Sequence, residues 1–415
     1  MKPTGPIPPA FAGQQRLAIG GEDAEALVAR AGDTPLFVYD LGLVADRVAA
    51  LRRALPAKLG IHYAIKANPH ADLLAGIASL VDGLDVASGG ELARALTVKP
   101  AAQISFAGPG KRDDELAAAI EAGATLNAES AGEVARALAV GERLGIAPRI
   151  AVRVNPDFEL RGSGMRMGGR ASPFGVDAGQ VPALVRTIRD TGAAWRGFHI
   201  FAGSQSLDTA AIIETQAATV ALAARLAEEA GAAPPLVNLG GGFGIPYFAG
   251  DAPVAIAAIG EALGEALANR AAVLADSRFA IELGRWLVGE AGVYLTRVVD
   301  VKDSGGERFV VVDGGLHHQL AASGNFGTVV RRNYPLAIAA RMGEPATQTA
   351  SVVGCLCTPL DRLGDKVALP QVAVGDLVAV FLAGAYGASA SPTSFLGHPP
   401  ARELVVNGTA SHGSR

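Results

Sequence analysis

The chain has 415 residues, half of them apolar and 18% charged, with a formal charge of −4. A large core is therefore affordable, disorder is excluded, and no basic footprint points to nucleic acid. No uninterrupted stretch of 18 apolar residues suggests a membrane span, and the opening MKPTGPIPPAFAG lacks a signal-type apolar core, so a cytoplasmic location is expected.

In chain order, a Pro/Gly-rich tail is followed by a short helix at 22–31, an apolar strand LFVYD at 36–40 and a helical pattern over 41–55. Short apolar strands then alternate with amphipathic helices. The strands are expected at 60–65, 84–87, 103–107, 124–127, 149–154, 197–201, 236–239 and 279–283. Helical spacing fills the intervals, as in 113–123 and 214–231. Eight β/α units over about 250 residues predict an α/β fold, a closed (β/α)8 TIM-like barrel, with an open doubly wound sheet as the alternative. Past residue 285 the texture becomes β-rich: VYLTRVVDVK, RFVVVDG, ASVVGCLC, DLVAVFLAG and RELVVNG read as strands of a second domain. The expected division is a tail and strand over 1–39 that joins the β domain, a barrel over 40–285, and a C-terminal β domain over 286–415.

In such a barrel, chemistry gathers at the C-terminal ends of the strands. Reading those ends gives Lys66 after the first strand, and Asp85 with Ser88 and Glu91 at the second. Arg153 follows on the fifth; His199, Phe201 and Gly203-Ser204 on the sixth; Gly240-Gly241-Gly242 after the seventh; and Glu282 with Gly284-Arg285 on the eighth. Lysine is scarce, seven against 29 arginines, so few amines can serve as nucleophiles. An amine at a partly desolvated mouth suits Schiff-base chemistry, although a solvated lysine at a strand end is an ordinary alternative. The glycine run offers backbone N–H groups to a phosphate or is simply a tight turn. It is no dinucleotide fingerprint, with Ile245 and Pro246 where a third glycine and a helix start would stand, and GPGK at 108–111 is no P-loop. A buried Glu282 needs a cation: Arg285, Arg153, or the protonated ring nitrogen of pyridoxal phosphate (PLP). Cys355 and Cys357 are too close for an ordinary disulfide and too few for a zinc quartet. The neighbouring histidines His317 and His318 have poor shared-ligand geometry, so no metal is expected.

In the order YAIKAN (63–68), LDVASGGEL (84–92), GSQ (203–205), GGGFG (240–244), Glu282 to Arg285, CTPLD (357–361) and GAYG (384–387), the chain resembles the fold-type III PLP-dependent decarboxylases. That group includes diaminopimelate, ornithine and arginine decarboxylases, with an alanine-racemase-like barrel. The resemblance implies that Lys66 carries PLP as a Schiff base and that Glu282 binds the pyridinium nitrogen. It further implies that Ser204, Gly241, Gly242, Arg285 and Tyr386 hold the phosphate, with Asp85, Arg153 and Phe201 also around the cofactor. Cys357 resembles the cysteine that protonates the substrate carbon, reaching in from the other subunit of a homodimer with shared sites.

Three positions depart from the family pattern. Phe201 replaces a stacking histidine, while His199 aligns with the strand position before it. Thr358 replaces the acid that binds a distal amine. The segment 316–334 replaces the usual arginine-bearing one, leaving Arg332 and Tyr334 as the candidates for the substrate carboxylate. GNFG, GAYGASASP and FLGHP resemble the exosortase-associated or carrier-protein-linked branch. An amino-acid α-decarboxylase is therefore expected, on a diaminopimelate-like or carrier-tethered substrate, with an acyl or peptidyl carrier protein as a partner. Arg161, Arg166 and Arg170 are candidates to meet such a carrier, or form a solvated arginine-rich loop. A racemase-like isomerase and a non-catalytic binding protein are the alternatives; Glu282 and Cys357 count against the first, and the presence of Lys66, Glu282 and Cys357 together against the second.

Overall fold

A computed structural model describes residues 1–160, 171–324 and 331–408, together with the backbone of 165–166. The chain forms two compact units. One comprises Val48–Gly244 and Pro253–Gly284; the other comprises Met1–Arg47, Ile245–Ala252 and Arg285–Arg415.

The first unit is a closed parallel barrel. Its strands are β1 (Gly60–Ala64), β2 (Gly83–Val86), β3 (Ile104–Phe106), β4 (Thr125–Ala128), β5 (Arg149–Asn155), β6 (Ala194–Ile200), β7 (Leu236–Gly241) and β8 (Arg278–Leu283). Each pairs in parallel with the next, and β8 pairs in parallel with β1 to close the ring. A two-residue strand, Val176–Asp177, pairs in parallel with the end of β5, beyond its pairing with β4. These runs are short, almost wholly buried and rich in Val, Ile, Leu and Phe, as strands covered on both faces require.

The helices between them start on side-chain caps. Ser88 Oγ and Ser130 Oγ accept from the backbone N–H groups of Glu91 and Glu133 at 3.2 and 3.0 Å. Glu91 in turn accepts from the Ala87 N–H at 2.7 Å, so Ser88 and Glu91 act as a helix cap at this end of β2. Gly197 disrupts the β6 register at φ +114°, and a Cβ there would lie 1.9 Å from the Leu236 carbonyl oxygen. The helix Thr209–Ala230 is long and apolar enough to cross a membrane by length and composition, yet Ile212, Val220, Leu222 and Leu226 are buried within the protein.

The second unit is built on the long strand β9 (Gly292–Ser304). Around it lie β10 (Glu307–Val312), β11 (Leu336–Ile338), β12 (Gln348–Val353), β13 (Arg362–Leu369), β14 (Leu377–Val380) and β15 (Arg402–Val406). The early strand Leu36–Asp40, buried at every position, lies between β9 and β15. The five expected β-rich segments all contain a strand. The structure adds β11 and β13, and it places Cys355 and Cys357 in a bend beyond the end of β12 rather than in the strand.

Candidate active site

Within the barrel unit, the ends of β1, β6 and β8 bring three predicted residues together. Lys66 sits in a single helical turn, Ile65–Ala67, directly after β1, and its side chain is exposed. Its Nζ lies 5.6 Å from the centroid of the Phe201 ring, which follows β6. Glu282 on β8 is 6% exposed. Its partner is neither Arg153 nor Arg285: His199 Nε2 donates to Glu282 Oε2 at 2.7 Å. His199 is therefore a member of the site, although its sequence position gave it no clear task. Burial alone would raise the Glu282 carboxyl, but the hydrogen bond and field of His199, with the fields of Lys66 and Arg153, hold it well below the usual carboxylate range.

Arg153 has its own anion. Its guanidinium donates to Glu129 Oε1 at 2.8 Å, and both side chains are buried. Glu129 also accepts from the Gly108 and Gly175 backbone N–H groups. The strand expected at 124–127 stops two residues short of Glu129; an acid directly before the Ser130 cap was the available signal. Asp85 on β2 is likewise engaged. The Ser105 hydroxyl donates to it, His62 Nδ1 lies 3.2 Å away, and the Asn127 amide donates to Ser105 Oγ at 3.2 Å. Burial disfavours a charged His62, but Asp85, with Glu282 and Asp82 beyond it, raises its pKa. Asp85 thus belongs to a polar chain running across β1 to β4.

Gly203-Ser204 pairs antiparallel with Met165–Arg166, and the Ser206 N–H donates to the Gly242 carbonyl at 2.9 Å. The glycine run has a packing reason of its own. Gly240 and Gly242 have φ of +68° and +83°, and a Cβ on Gly241 would lie 1.9 Å from the Glu282 carbonyl oxygen. Close backbone approach thus requires these glycines whether or not a phosphate binds.

The remaining predicted residues lie in the second unit. Arg285 donates to the Tyr247 hydroxyl at 3.0 Å and stands over the Tyr386 ring at 4.7 Å, and its Nε is buried without a partner. Burial opposes its charge, but the Tyr247 and Tyr386 hydroxyls more than offset this and raise its pKa. Tyr386 adopts φ +55°, a left-handed conformation rare for an aromatic residue. Tyr334 is buried, with its ring 4.8 Å from that of Tyr247. The Arg332 guanidinium stands over the Phe248 ring at 3.8 Å, and 3.9 Å from Asp251. Cys357 is exposed and Thr358 half-buried, on a turn fastened by buried Asp361, which accepts from the Leu316 and Leu356 N–H groups at 2.6 and 2.9 Å. Thr358 Oγ1 accepts from the Leu360 N–H at 3.3 Å. Arg161, Arg170 and the Arg166 side chain lie outside the described residues, as does most of GNFG.

Over residues 41–289 the chain matches the family described as pyridoxal-dependent decarboxylase, pyridoxal binding domain. It is 36% identical over 380 residues to the L-glutamyl-[BtrI acyl-carrier protein] decarboxylase of Niallia circulans, covering 90% of this chain and 89% of that one. It is 31% identical over 380 residues to the diaminopimelate decarboxylase of Aquifex aeolicus, covering 91% and 87%. Its fold matches the crystal structure of diaminopimelate decarboxylase from M. jannaschii in co-complex with L-lysine with a TM-score of 0.84 at 26% identity, over 97% of this chain and 93% of that one. With its barrel, its lysine after the first strand and its buried acid on the eighth, the chain belongs to the pyridoxal-dependent decarboxylases and is a PLP-dependent amino-acid decarboxylase.

Proposed function

We propose that this enzyme removes the α-carboxyl group of an amino acid carried on an acyl or peptidyl carrier protein, and that it works in the cytoplasm as a homodimer with shared active sites. The observation that carries the substrate reading is Thr358. A free ammonium at the distal end of a diamino acid, once desolvated, calls for a charged acceptor, and a charge-assisted hydrogen bond contributes roughly 1.5–3 kcal/mol. The residue beside Cys357 offers only a hydroxyl, already engaged with the Leu360 N–H. An amide or thioester tail suits it better. The relative at 36% identity, whose name specifies a carrier-protein glutamyl substrate, supports the same choice.

The donor set fits PLP. An exposed amine, Lys66, stands at the barrel mouth to hold the aldehyde carbon, and Phe201 presents an apolar face for the ring. Glu282, anionic and fixed by His199, is the counter-charge for the ring nitrogen. In the barrel unit, Ser204 and the backbone of Gly241 and Gly242 offer neutral donors to a phosphate; in the other unit, Arg285, with its orphaned Nε, and Tyr386 offer a charge and a hydroxyl, the roles the family resemblance gives them. PLP supplies the electron sink that lets the carboxylate leave as CO2. Around that step Lys66 would be the amine that holds the cofactor, Glu282 would be the anion that faces its ring nitrogen, and Cys357 Sγ would be the proton donor to the α-carbon. The exposure of Cys357 in a single chain supports its service in a partner's site. Arg332 and Tyr334 remain the candidates for the substrate carboxylate; Arg332, exposed on Phe248, is the more available of the two.

The test is CO2 release from holoenzyme given glutamyl-carrier protein or free meso-diaminopimelate. The tethered substrate is expected to exceed the free diamine in kcat/KM by about one to two decades, the equivalent of one missing charge-assisted hydrogen bond. Diaminopimelate turnover at about 10⁴ M⁻¹s⁻¹ or above, with an inert tethered substrate, would overturn the reading.

A further inference from the structure

Beside the turn that carries Cys357, three side chains from distant parts of the chain converge. A ring nitrogen of His317, Sγ of Cys355 and a ring nitrogen of His398 lie within 4.8 Å of one another. Sγ is 3.9 Å from each nitrogen of His398, and the rings of His317 and His398 are 4.9 Å apart. His317 is fully buried, and neither of its nitrogens has a hydrogen-bond partner. Each buried polar atom left unpaired costs about 1–3 kcal/mol, so a doubly orphaned imidazole needs an explanation.

The adjacent His318 is spent differently. Its Nε2 donates to the Pro399 carbonyl at 2.9 Å and its Nδ1 lies 3.1 Å from the Tyr294 hydroxyl. That contact anchors the chain next to His398, while His317 is left facing the thiol. The groups that face His317 therefore come from distant parts of the chain and not from its neighbour His318.

We propose that His317, Cys355 and His398 form a site for one divalent transition-metal ion of the zinc class, with water as the fourth ligand. Two imidazoles and a thiolate are the donors that zinc and its neighbours select, and the trio contains no carboxylate to favour calcium or magnesium. Tetrahedral bonds of about 2.3 Å to sulfur and about 2.0–2.1 Å to nitrogen separate donors by about 3.3–3.6 Å. The 3.9 Å spacing from Sγ therefore closes by small side-chain adjustments. Cys355 and His398 are only half-buried, leaving a side open to water. The binding step exchanges the Cys355 S–H bond for a metal–sulfur bond and releases that proton to solvent. Both histidines bind as neutral imidazoles. An ordinary thiol carries its proton at neutral pH, so that proton is present to be released. Once bound, the ion ties the chain at 317, 355 and 398 together and pins the turn from which Cys357 projects.

The experiment uses tag-free holoenzyme treated with chelator. Zn2+ is titrated by calorimetry in two buffers of different protonation enthalpy, and Co2+ by absorption. The expected result is one ion per chain with Kd of about 1 µM or tighter, one proton released, and a thiolate-to-cobalt charge-transfer band with four-coordinate visible bands. Cys355→Ser removes the charge-transfer band, His398→Ala weakens binding by about a hundredfold, and Cys357→Ser keeps the band. Retained cofactor absorbance shows that each variant is folded, and the two ligand variants report independently, so failure of one to fold leaves the other to decide. Absence of one-to-one binding tighter than about 10 µM, or a band that survives Cys355→Ser, or one that disappears in Cys357→Ser, overturns the site.

Discussion

Replacing His199 with leucine removes the hydrogen bond that fixes Glu282 and leaves a buried carboxylate facing an apolar side chain. The size of the effect follows from the proton affinity of that carboxyl. It is held from an ordinary 4.5 down to about 2, and at about 1.4 kcal/mol for each tenfold change this is about 3 kcal/mol in favour of the anion. His199 is the largest favourable contributor, and without it burial is opposed only by the fields of Lys66 and Arg153, so the carboxyl's pKa rises. The pairing stabilises the fold above about pH 4.5 and is lost as pH falls through about 2. In the Leu variant, Glu282 takes up a proton at much higher pH and the ring nitrogen loses its counter-charge. PLP affinity is expected to fall by about two decades at neutral pH, and kcat/KM to acquire an acid limb absent from the wild type. His199→Gln, which restores an N–H donor at similar reach, is expected to recover much of both. The assay is PLP titration by absorbance across pH, with CO2 release as the second readout. A Leu variant with wild-type PLP affinity and an unchanged pH profile would refute the argument.

Borohydride reduction of the holoenzyme followed by peptide mapping is expected to place the pyridoxyl group on Lys66, and label on another lysine removes that assignment. Mixing inactive Lys66→Ala and Cys357→Ala chains under subunit exchange is expected to restore about a quarter of native activity, because statistical mixing yields one intact shared site per mixed dimer; no recovery despite exchange argues against sharing. Lys111 sits in a buried cluster, donating to Glu133 at 2.7 Å and to the Gly108 and Asn127 carbonyls. Lys111→Met is expected to destabilise the barrel by about 3–5 kcal/mol in urea unfolding, with specific activity of the folded fraction unchanged. A shift under 1 kcal/mol places Lys111 outside the load on the fold.

The barrel was legible because each strand is a short apolar run bounded by turn residues, and each helix keeps its apolar positions on one face. The two strands that escaped, Leu336–Ile338 and Arg362–Leu369, lie at the ends of the order in their sheet, where a strand has a partner on one side only. The second carries Arg362, Asp365 and Lys366 and bends at Lys366, whose φ is +52°. Charge and a left-handed residue break the alternation by which strands are recognised. The site divides in the same way. Lys66 and Glu282 could be found because a strand end in a barrel is a place that chain order alone specifies. Their partners could not: His199 meets Glu282 from two strands away, and Glu129 meets Arg153 from the neighbouring strand, both by tertiary register rather than local spacing.

Those partners change what the predicted residues are free to do. Arg153 is paired with Glu129 at 2.8 Å, so it would meet a cofactor as a compensated charge rather than as an unpaired cation. Asp85 is taken up by Ser105 and His62, which ties it into the strand-to-strand polar chain. Glu282 is different in kind, since its partner on Oε2 is an imidazole that orients it, and the amine of Lys66 is exposed. Phe201 then makes sense beside His199. A second histidine at the ring face would add another titratable group near the buried carboxylate and compete for its charge. In the proposed site, an apolar ring there would leave the proton on the cofactor's nitrogen answerable to Glu282, and Glu282 is held by His199 at 2.7 Å.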